Sequence, residues 1–152
     1  MGAGTEVLSF DLPPARVFAP LADLDSMAKW MPGFVRVERL TEGPLRVGSQ
    51  YRETRKTMGH QATEHFEVTA LDPPRRLALR VDGTKGSSRR GEYLFEYALA
   101  PSGGGTDLIL TGEIRGLGRF AEFLGRIFAG PMKKVIAKDL DSLKAHLESG
   151  AS

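Results

Sequence analysis

Two carboxylates and a guanidinium, Glu53, Arg55 and Glu64, stand within runs that alternate polar and apolar residues. Residues two apart on a strand share a face, and a hairpin between the run Val47–Thr57 and the run Gln61–Leu71 sets one against the other. A two-residue loop at Gly59-His60 puts glycine first, as a type II′ turn requires, and pairs Met58 with Gln61. That register collects Tyr51, Glu53, Arg55, Glu64, Phe66, Val68 and Ala70 on one face, which we take as the inward one. Arg52, Thr54, Lys56, Thr63, His65, Glu67 and Thr69 share the other, and a one-residue slip would mix the two sets. Inward charges are costly unless paired. Arg55 can bridge both carboxylates and offer its remaining donors to a ligand carbonyl, carboxylate or phenol. A structural ion-pair cluster near an open rim is the bland reading of the same residues. Tyr93 and Tyr97, two apart on a later strand, can donate hydrogen bonds or act as weak acids, or else fill core space with only their hydroxyls at polar spots. Arg55, Glu64, Tyr93 and Tyr97 are thus the candidates for chemistry.

The remaining reactive residue types offer less. His60 falls in the expected turn, His65 on the outer face and His146 near the end of the last helix, where a cation suits the dipole. His60 and His65 lack the helical i,i+4 spacing of a zinc site and the chain has no cysteine, so no metal is expected. No cofactor is implied either. Gly103-Gly104-Gly105 precedes neither a helix nor Lys-Ser/Thr, so it is no phosphate loop. Ser87 and Ser88 have no histidine partner for a hydrolase triad. Arg75-Arg76, Lys85 with Arg89-Arg90, and Lys133-Lys134 lie on separate elements and read as solvated charge rather than a nucleic-acid surface.

The elements that position these residues follow from periodicity. From Leu117 to Glu148 apolar residues recur at steps of three and four, among them Phe120, Leu124, Ile127, Phe128, Val135, Ile136, Leu140, Leu143 and Leu147. Such a helix would be roughly 45–50 Å long, with a kink at Gly130-Pro131. Before it, Thr5–Leu12 reads as a strand that ends at Pro13-Pro14. Two short helices follow: 15–22, bent by Pro20, and one carrying Met27, Trp30 and Met31, capped by Asp25 or Ser26. From Phe34 the period changes to two, and six strands run in succession to Arg115. Leu79 faces inward on one, Tyr93, Phe95 and Tyr97 on the next, and Leu110 and Ile114 on the last. Consecutive strands with short connections imply an antiparallel meander with one apolar face, and the long helix is its cover. The expected fold is therefore α+β: a curved antiparallel sheet of about seven strands gripping a long C-terminal helix.

Size and composition agree. The chain has 152 residues, 41% hydrophobic and 26% charged, with a net charge of +2. These values suit one globular domain spanning 1–152, with 5–148 as its ordered core. No apolar run approaches the ~20 residues of a membrane span. The N-terminus lacks the regions of a signal peptide, and Glu6 stands where a myristoylation signal needs Ser or Thr. A cysteine-free chain suits the cytoplasm.

The order of elements, with several local patterns, resembles the START-like (helix-grip) superfamily and within it the polyketide cyclase/dehydrase branch. The matching pieces are residues 10–18 (FDLPPARVF), 29–33 (KWMPG), 47–52 (VGSQYR), 71–77 (LDPPRRL), Gly104-Gly105-Thr106 and Asp139-Leu140-Asp141-Ser142-Leu143-Lys144. The resemblance implies a deep, largely apolar cavity between sheet and long helix. Tyr51, Arg55, Phe66, Leu79, Tyr93, Phe95, Tyr97, Leu110 and Ile114 would line it from the sheet. Phe120, Leu124 and Phe128 would line it from the helix, with Trp30 near the short helices. It further implies a partner that is a small hydrophobic molecule, such as a lipid, quinone, isoprenoid or aromatic polyketide, bound by a carrier or sensor. An aromatase/cyclase is the alternative, with Arg55 polarising a carbonyl and Tyr93, Tyr97 or Glu64 moving protons. A protein-interaction module is a third. The sequence leaves the oligomeric state open.

Overall fold

The computed structural model describes residues 3–57, 59–116 and 134–150. Seven strands form one antiparallel sheet in the order β1-β7-β6-β5-β4-β3-β2. They are β1 (Ala3–Phe10), β2 (Phe34–Arg39), β3 (Gln50–Thr57), β4 (His60–Asp72), β5 (Arg76–Asp82), β6 (Glu92–Ser102) and β7 (Gly105–Arg115). Strands β2 to β7 are the expected meander, and β1 joins it beside β7, with Ala3 opposite Glu113 and Phe10 opposite Thr106. Between β1 and β2 lie α1 (Pro14–Leu21), a 3₁₀ turn at Leu24–Ser26 and α2 (Met27–Trp30). A C-terminal helix, α3, covers residues 134–148. The expected helical residues 117–133, with Phe120, Leu124, Phe128 and the Gly130-Pro131 kink, lie outside the described residues.

The β3–β4 hairpin corrects one expectation. Thr57 pairs with His60 and Tyr51 with Phe66, so the loop occupies positions 58 and 59 rather than Gly59-His60. Glycine is the second loop residue, with φ +81°. The register is therefore two residues from the expected one. A two-residue slip leaves every side chain on the same face, which is why hydrophobic separation could not detect it. Tyr51, Glu53, Arg55, Glu64 and Phe66 keep their common face, but Glu53 now stands opposite Glu64 and Arg55 opposite Ala62.

A bulge between Val68 and Ala70 corrects another. Beyond it Ala70 pairs with Ala78 and Leu71 with Leu77. Leu77 is buried in the core and Leu71 packs against it, so Leu71 takes the inward place expected of Ala70. Ser26 stands at the N-cap of α2 as expected but gives it no side-chain bond; Asp23 caps the preceding 3₁₀ turn, its carboxylate accepting from the Asp25 amide at 3.0 Å. Ser26 instead donates its hydroxyl to the Pro20 carbonyl at 2.7 Å, tying the two short helices together.

The inward face divides into two halves. In one, Val17 and Phe18 of α1 and Leu140, Leu143 and Leu147 of α3 meet Phe10, Leu77, Leu99 and Leu108 of the sheet in a closed core. In the other, the inward residues of β3 to β6 face an open space. The change comes between Tyr97 and Leu99 on β6 and between Asp139 and Leu140 on α3. Gly33, at φ +72°, lets the chain after α2 press onto β3, since a Cβ there would lie 2.1 Å from the Lys56 carbonyl oxygen. The Lys56 amide donates to the Gly33 carbonyl at 2.7 Å.

Leu143 is 0% exposed and anchors α3 in the closed half. Leu143→Ala should cost about 3 kcal/mol in urea unfolding, the usual range for a buried leucine. A loss under about 1 kcal/mol would show that this helix does not carry the core.

Candidate functional site

Strand periodicity puts Tyr51, Glu53 and Arg55 of β3 on one face, and pairing brings Phe66 against Tyr51 with their rings stacked at 5.1 Å. They border a cavity of about 360 Å³ enclosed by the sheet, the short helices and α3. Apolar side chains dominate its wall: Trp30, Met31, Phe66, Leu79, Phe95 and Ile136 are examples. Of the residues expected to line it, Trp30, Tyr51, Arg55, Phe66, Leu79, Tyr93, Phe95, Tyr97 and Leu110 do so. Ile114 is not part of the wall; it pairs with Tyr93 near the end of β7, beyond Gly112.

Arg55 does not bridge Glu53 and Glu64, as the sequence suggested. Its guanidinium forms a two-pronged pair with Asp139 of α3, Nη1 to Oδ2 at 2.9 Å and Nη2 to Oδ1 at 2.7 Å. Nε and Nη2 also donate to the Pro32 carbonyl, at 3.2 and 2.8 Å. A guanidinium has five N–H groups, so these bonds leave one donor on Nη1. The planar fork matches a carboxylate better than two separate carboxyls on its own strand and the next, and that geometry decides the pairing. The pair is largely shielded, with 19% and 16% of the two side chains exposed. Burial disfavours the charge on Arg55, but Asp139 more than offsets it and holds the guanidinium protonated.

Glu53 is left without such a partner. It is 6% exposed and accepts no hydrogen bond among the described residues. Burial pushes its carboxyl from 4.5 up to about 7, with Arg55 pulling it down and Asp139 pushing it up. Tyr97 and Tyr51 border the same cavity. Burial, then Asp139 and Glu53, raise the Tyr97 phenol well above its ordinary value, against the opposing pull of Arg55. Burial, then Glu53 and Tyr97, do the same to Tyr51. Both phenols are therefore hydrogen-bond donors rather than proton sources at neutral pH. Trp30 adds a buried indole N–H with no partner among the described residues.

Glu64 and Tyr93 form a second polar group through a residue that sequence reasoning set aside. Ser88 donates both its amide, at 3.1 Å, and its hydroxyl, at 2.7 Å, to Glu64 Oε1. The Tyr93 hydroxyl donates to Ser88 Oγ at 3.2 Å. Burial raises the Glu64 carboxyl and the two bonds from Ser88 partly restrain it. His65, on the outer face as expected, is nevertheless buried, with Nε2 2.9 Å from Gln50 Oε1.

Asp139 is the residue of this site that sequence reasoning missed. The signal was present: it follows Val135 by four and Ile136 by three, so a carboxylate sits on the apolar stripe. Met27, Met31, Val135 and Ile136 also line the cavity without having been singled out.

The sequence profile of the family described as polyketide cyclase/dehydrase and lipid transport matches residues 1–148. The chain belongs to this family. Its sheet, short helices and C-terminal helix are the helix-grip arrangement expected from the sequence. Among solved structures it is similar to TTHA0849 from Thermus thermophilus, with 18% identity over 99% of both chains and a TM-score of 0.78. It is similar also to Ara h 8.0201, at 14% identity, 97% of both chains and a TM-score of 0.74. DynU16, a protein of the dynemicin biosynthetic locus, shares 18% identity and a TM-score of 0.73; the match covers 99% of this chain and 49% of that one. At such identities the likeness is one of fold. No functionally curated protein matches the sequence.

Glu53 gives the site a measurable signature. A carboxyl raised from 4.5 to about 7 on folding favours the native state in its protonated form. Its contribution is complete below the unfolded value and is lost as pH rises through about 7. Between about pH 5 and 8.5 the wild type should lose roughly 2–3 kcal/mol of unfolding free energy relative to Glu53→Gln, which stays neutral throughout. Parallel stability curves for the two proteins would mean that Glu53 titrates as an ordinary carboxylate.

Proposed function

We propose that the protein binds a small hydrophobic molecule in the cavity between sheet and α3, as a carrier or sensor. A lipid, quinone, isoprenoid or aromatic polyketide fits the chemistry of the wall. The observation that carries this reading is the open half of the interior. About 360 Å³ is left unfilled beside a closed core built from the same sheet. That volume lies within the range of small-molecule sites, and the polar groups are few and convergent, as such sites require. Trp30 Nε1 and the free N–H of Arg55 would meet a ligand oxygen, and the aromatic side chains would flank its apolar body. A family described by lipid transport as well as polyketide chemistry supports the same reading. The cytoplasm is the proposed setting, since a chain without cysteine suits a reducing compartment.

Trp30 is the chain's sole tryptophan and lines the cavity, so it reports occupancy directly. Native mass spectrometry with extraction of co-purified molecules should reveal a bound apolar compound. Titration with lipids, quinones and polyphenols should give saturable changes in Trp30 emission. A bare protein whose emission none of these compounds alters would sink the reading.

Catalysis is the second reading, favoured by one observation: Glu53 has a carboxyl poised near neutrality, beside Arg55 and in a cavity bordered by Tyr97. Ionised, Glu53 would take a proton from an activated carbon of a polyketide chain while the Arg55 Nη1 donor steadies the neighbouring carbonyl oxygen. Turnover of a poly-β-ketone should then rise with a pKa of about 7 and fall roughly 10²–10⁴-fold in Glu53→Gln. Binding without any product, in wild type and variant alike, would leave the carrier reading alone.

A further inference from the structure

A second pocket, of about 380 Å³, lies against the cavity and is bordered by Pro32, Gly33, Thr57 and the start of α3. Among the described residues its wall contains Lys56, Lys134, Lys138 and Arg55, and a single carboxylate, Asp139. The chain as a whole carries a net charge of only +2, so this pocket concentrates positive charge well beyond the chain's average. Lys134 and Lys138 are exposed and four apart on α3, where like charges repel along a helix. Among the described residues neither they nor Lys56 has an acidic partner; the nearby carboxylate of Asp139 is committed to Arg55. A cluster of this kind is unfavourable in isolation and is relieved by an anion.

The pocket and the cavity share Arg55, Val135 and Asp139. Those three residues, from β3 and α3, border both the lysine-lined space and the apolar one. Arg55 is also held from the far side by the Pro32 carbonyl. An anion in the pocket can take up the remaining Nη1 donor of Arg55 while the bonds to Asp139 and to Pro32 stay in place.

We propose that the ligand is an anionic amphiphile, with its charged end in the pocket formed by Lys134, Lys138 and Arg55 and its apolar body in the cavity. The inference rests on the ligand-binding reading above and narrows it. It excludes neutral molecules as the preferred cargo. It also assigns the lysines at the start of α3 a role in ligand choice.

The test compares dodecanoate with dodecan-1-ol, matched in chain length and differing in charge, and adds inorganic phosphate as an anion without an apolar body. Dissociation constants are measured by calorimetry on the full chain, on K134E/K138E and on the milder K134Q/K138Q. Dodecanoate should bind the wild type about tenfold or more tightly than the alcohol, since each rim charge contributes a few-fold. The preference should shrink in K134Q/K138Q, vanish or reverse in K134E/K138E, and weaken when salt rises from about 20 mM to about 0.5 M. Equal binding of acid and alcohol, or a preference that survives charge reversal, would overturn the proposal while leaving the cavity as a binding site. Inorganic phosphate binding as tightly as dodecanoate would also overturn it, by making the pocket an independent anion site. Failure of both twelve-carbon compounds to bind would overturn the inference, while the reading on which it rests stands or falls with the wider panel of lipids, quinones and polyphenols.

Discussion

The pairing of Arg55 with Asp139 joins three parts of the chain that are distant in sequence. It ties β3 to α3, and through the Pro32 carbonyl it ties both to the segment leaving α2. A guanidinium accepts this arrangement because its donors lie in one plane and point two ways, toward a carboxylate on one side and a carbonyl on the other. Removing either charge would strand the other in a largely shielded place, which is more costly than never having buried the pair. Between Val135 and Asp139 α3 borders the cavity, and this contact ties it to the sheet there. Further along, Leu140, Leu143 and Leu147 take over and the contact becomes hydrophobic.

The two halves of the interior are thus held by different physics. The closed half gains from apolar area removed from water, the largest favourable contribution to folding. The open half gives up part of that gain, and what it holds instead is polar: a fixed ion pair, a carboxyl near neutrality, two phenols and an indole N–H. Polar groups in an apolar enclosure are tolerable when paired and costly when not. Asp139 is paired and Glu64 Oε1 accepts from Ser88, while Glu64 Oε2 and Trp30 Nε1 have no partner among the described residues. Trp30 as a residue lines the unfilled space, although its indole nitrogen is itself buried.

Most of the fold was legible because it rests on alternation and helical spacing, and both survive small errors. The β3–β4 register was two residues out, yet Tyr51, Glu53, Arg55, Glu64 and Phe66 stayed inward, since a strand repeats every second residue. The same tolerance fails at a bulge, where the repeat is broken by one, and Ala70 and Leu71 exchanged roles for that reason. Alternation also marked which sheet residues face inward, whereas the cavity they line was implied by the family resemblance. What alternation could not show was which inward residues pack and which face open space, since Leu99 and Tyr97 look alike in a pattern. Nor could it assign partners. Arg55 lay on the same strand face as Glu53 and on the strand neighbouring Glu64, and proximity in the pattern favoured those two. Asp139, 84 positions away, prevailed because three-dimensional approach and fork geometry decide a salt bridge.

The contrast between Glu53 and Glu64 shows what the hairpin achieves. The two stand directly opposite each other on adjacent strands, a placement that disfavours two like charges. Their surroundings separate them. Glu64 is engaged by the loop before β6, where the Ser88 amide and hydroxyl both donate to it and oppose the effect of burial. Glu53 receives no such bond among the described residues, and its attractive neighbour, Arg55, is already paired with Asp139. The same Asp139 that secures Arg55 also raises Glu53, because it is a like charge. Burial is what brings the Glu53 carboxyl near neutrality; Arg55 pulls it down and Asp139 takes back only part of that pull, so the ion pair that fixes α3 against the sheet restrains the shift without cancelling it.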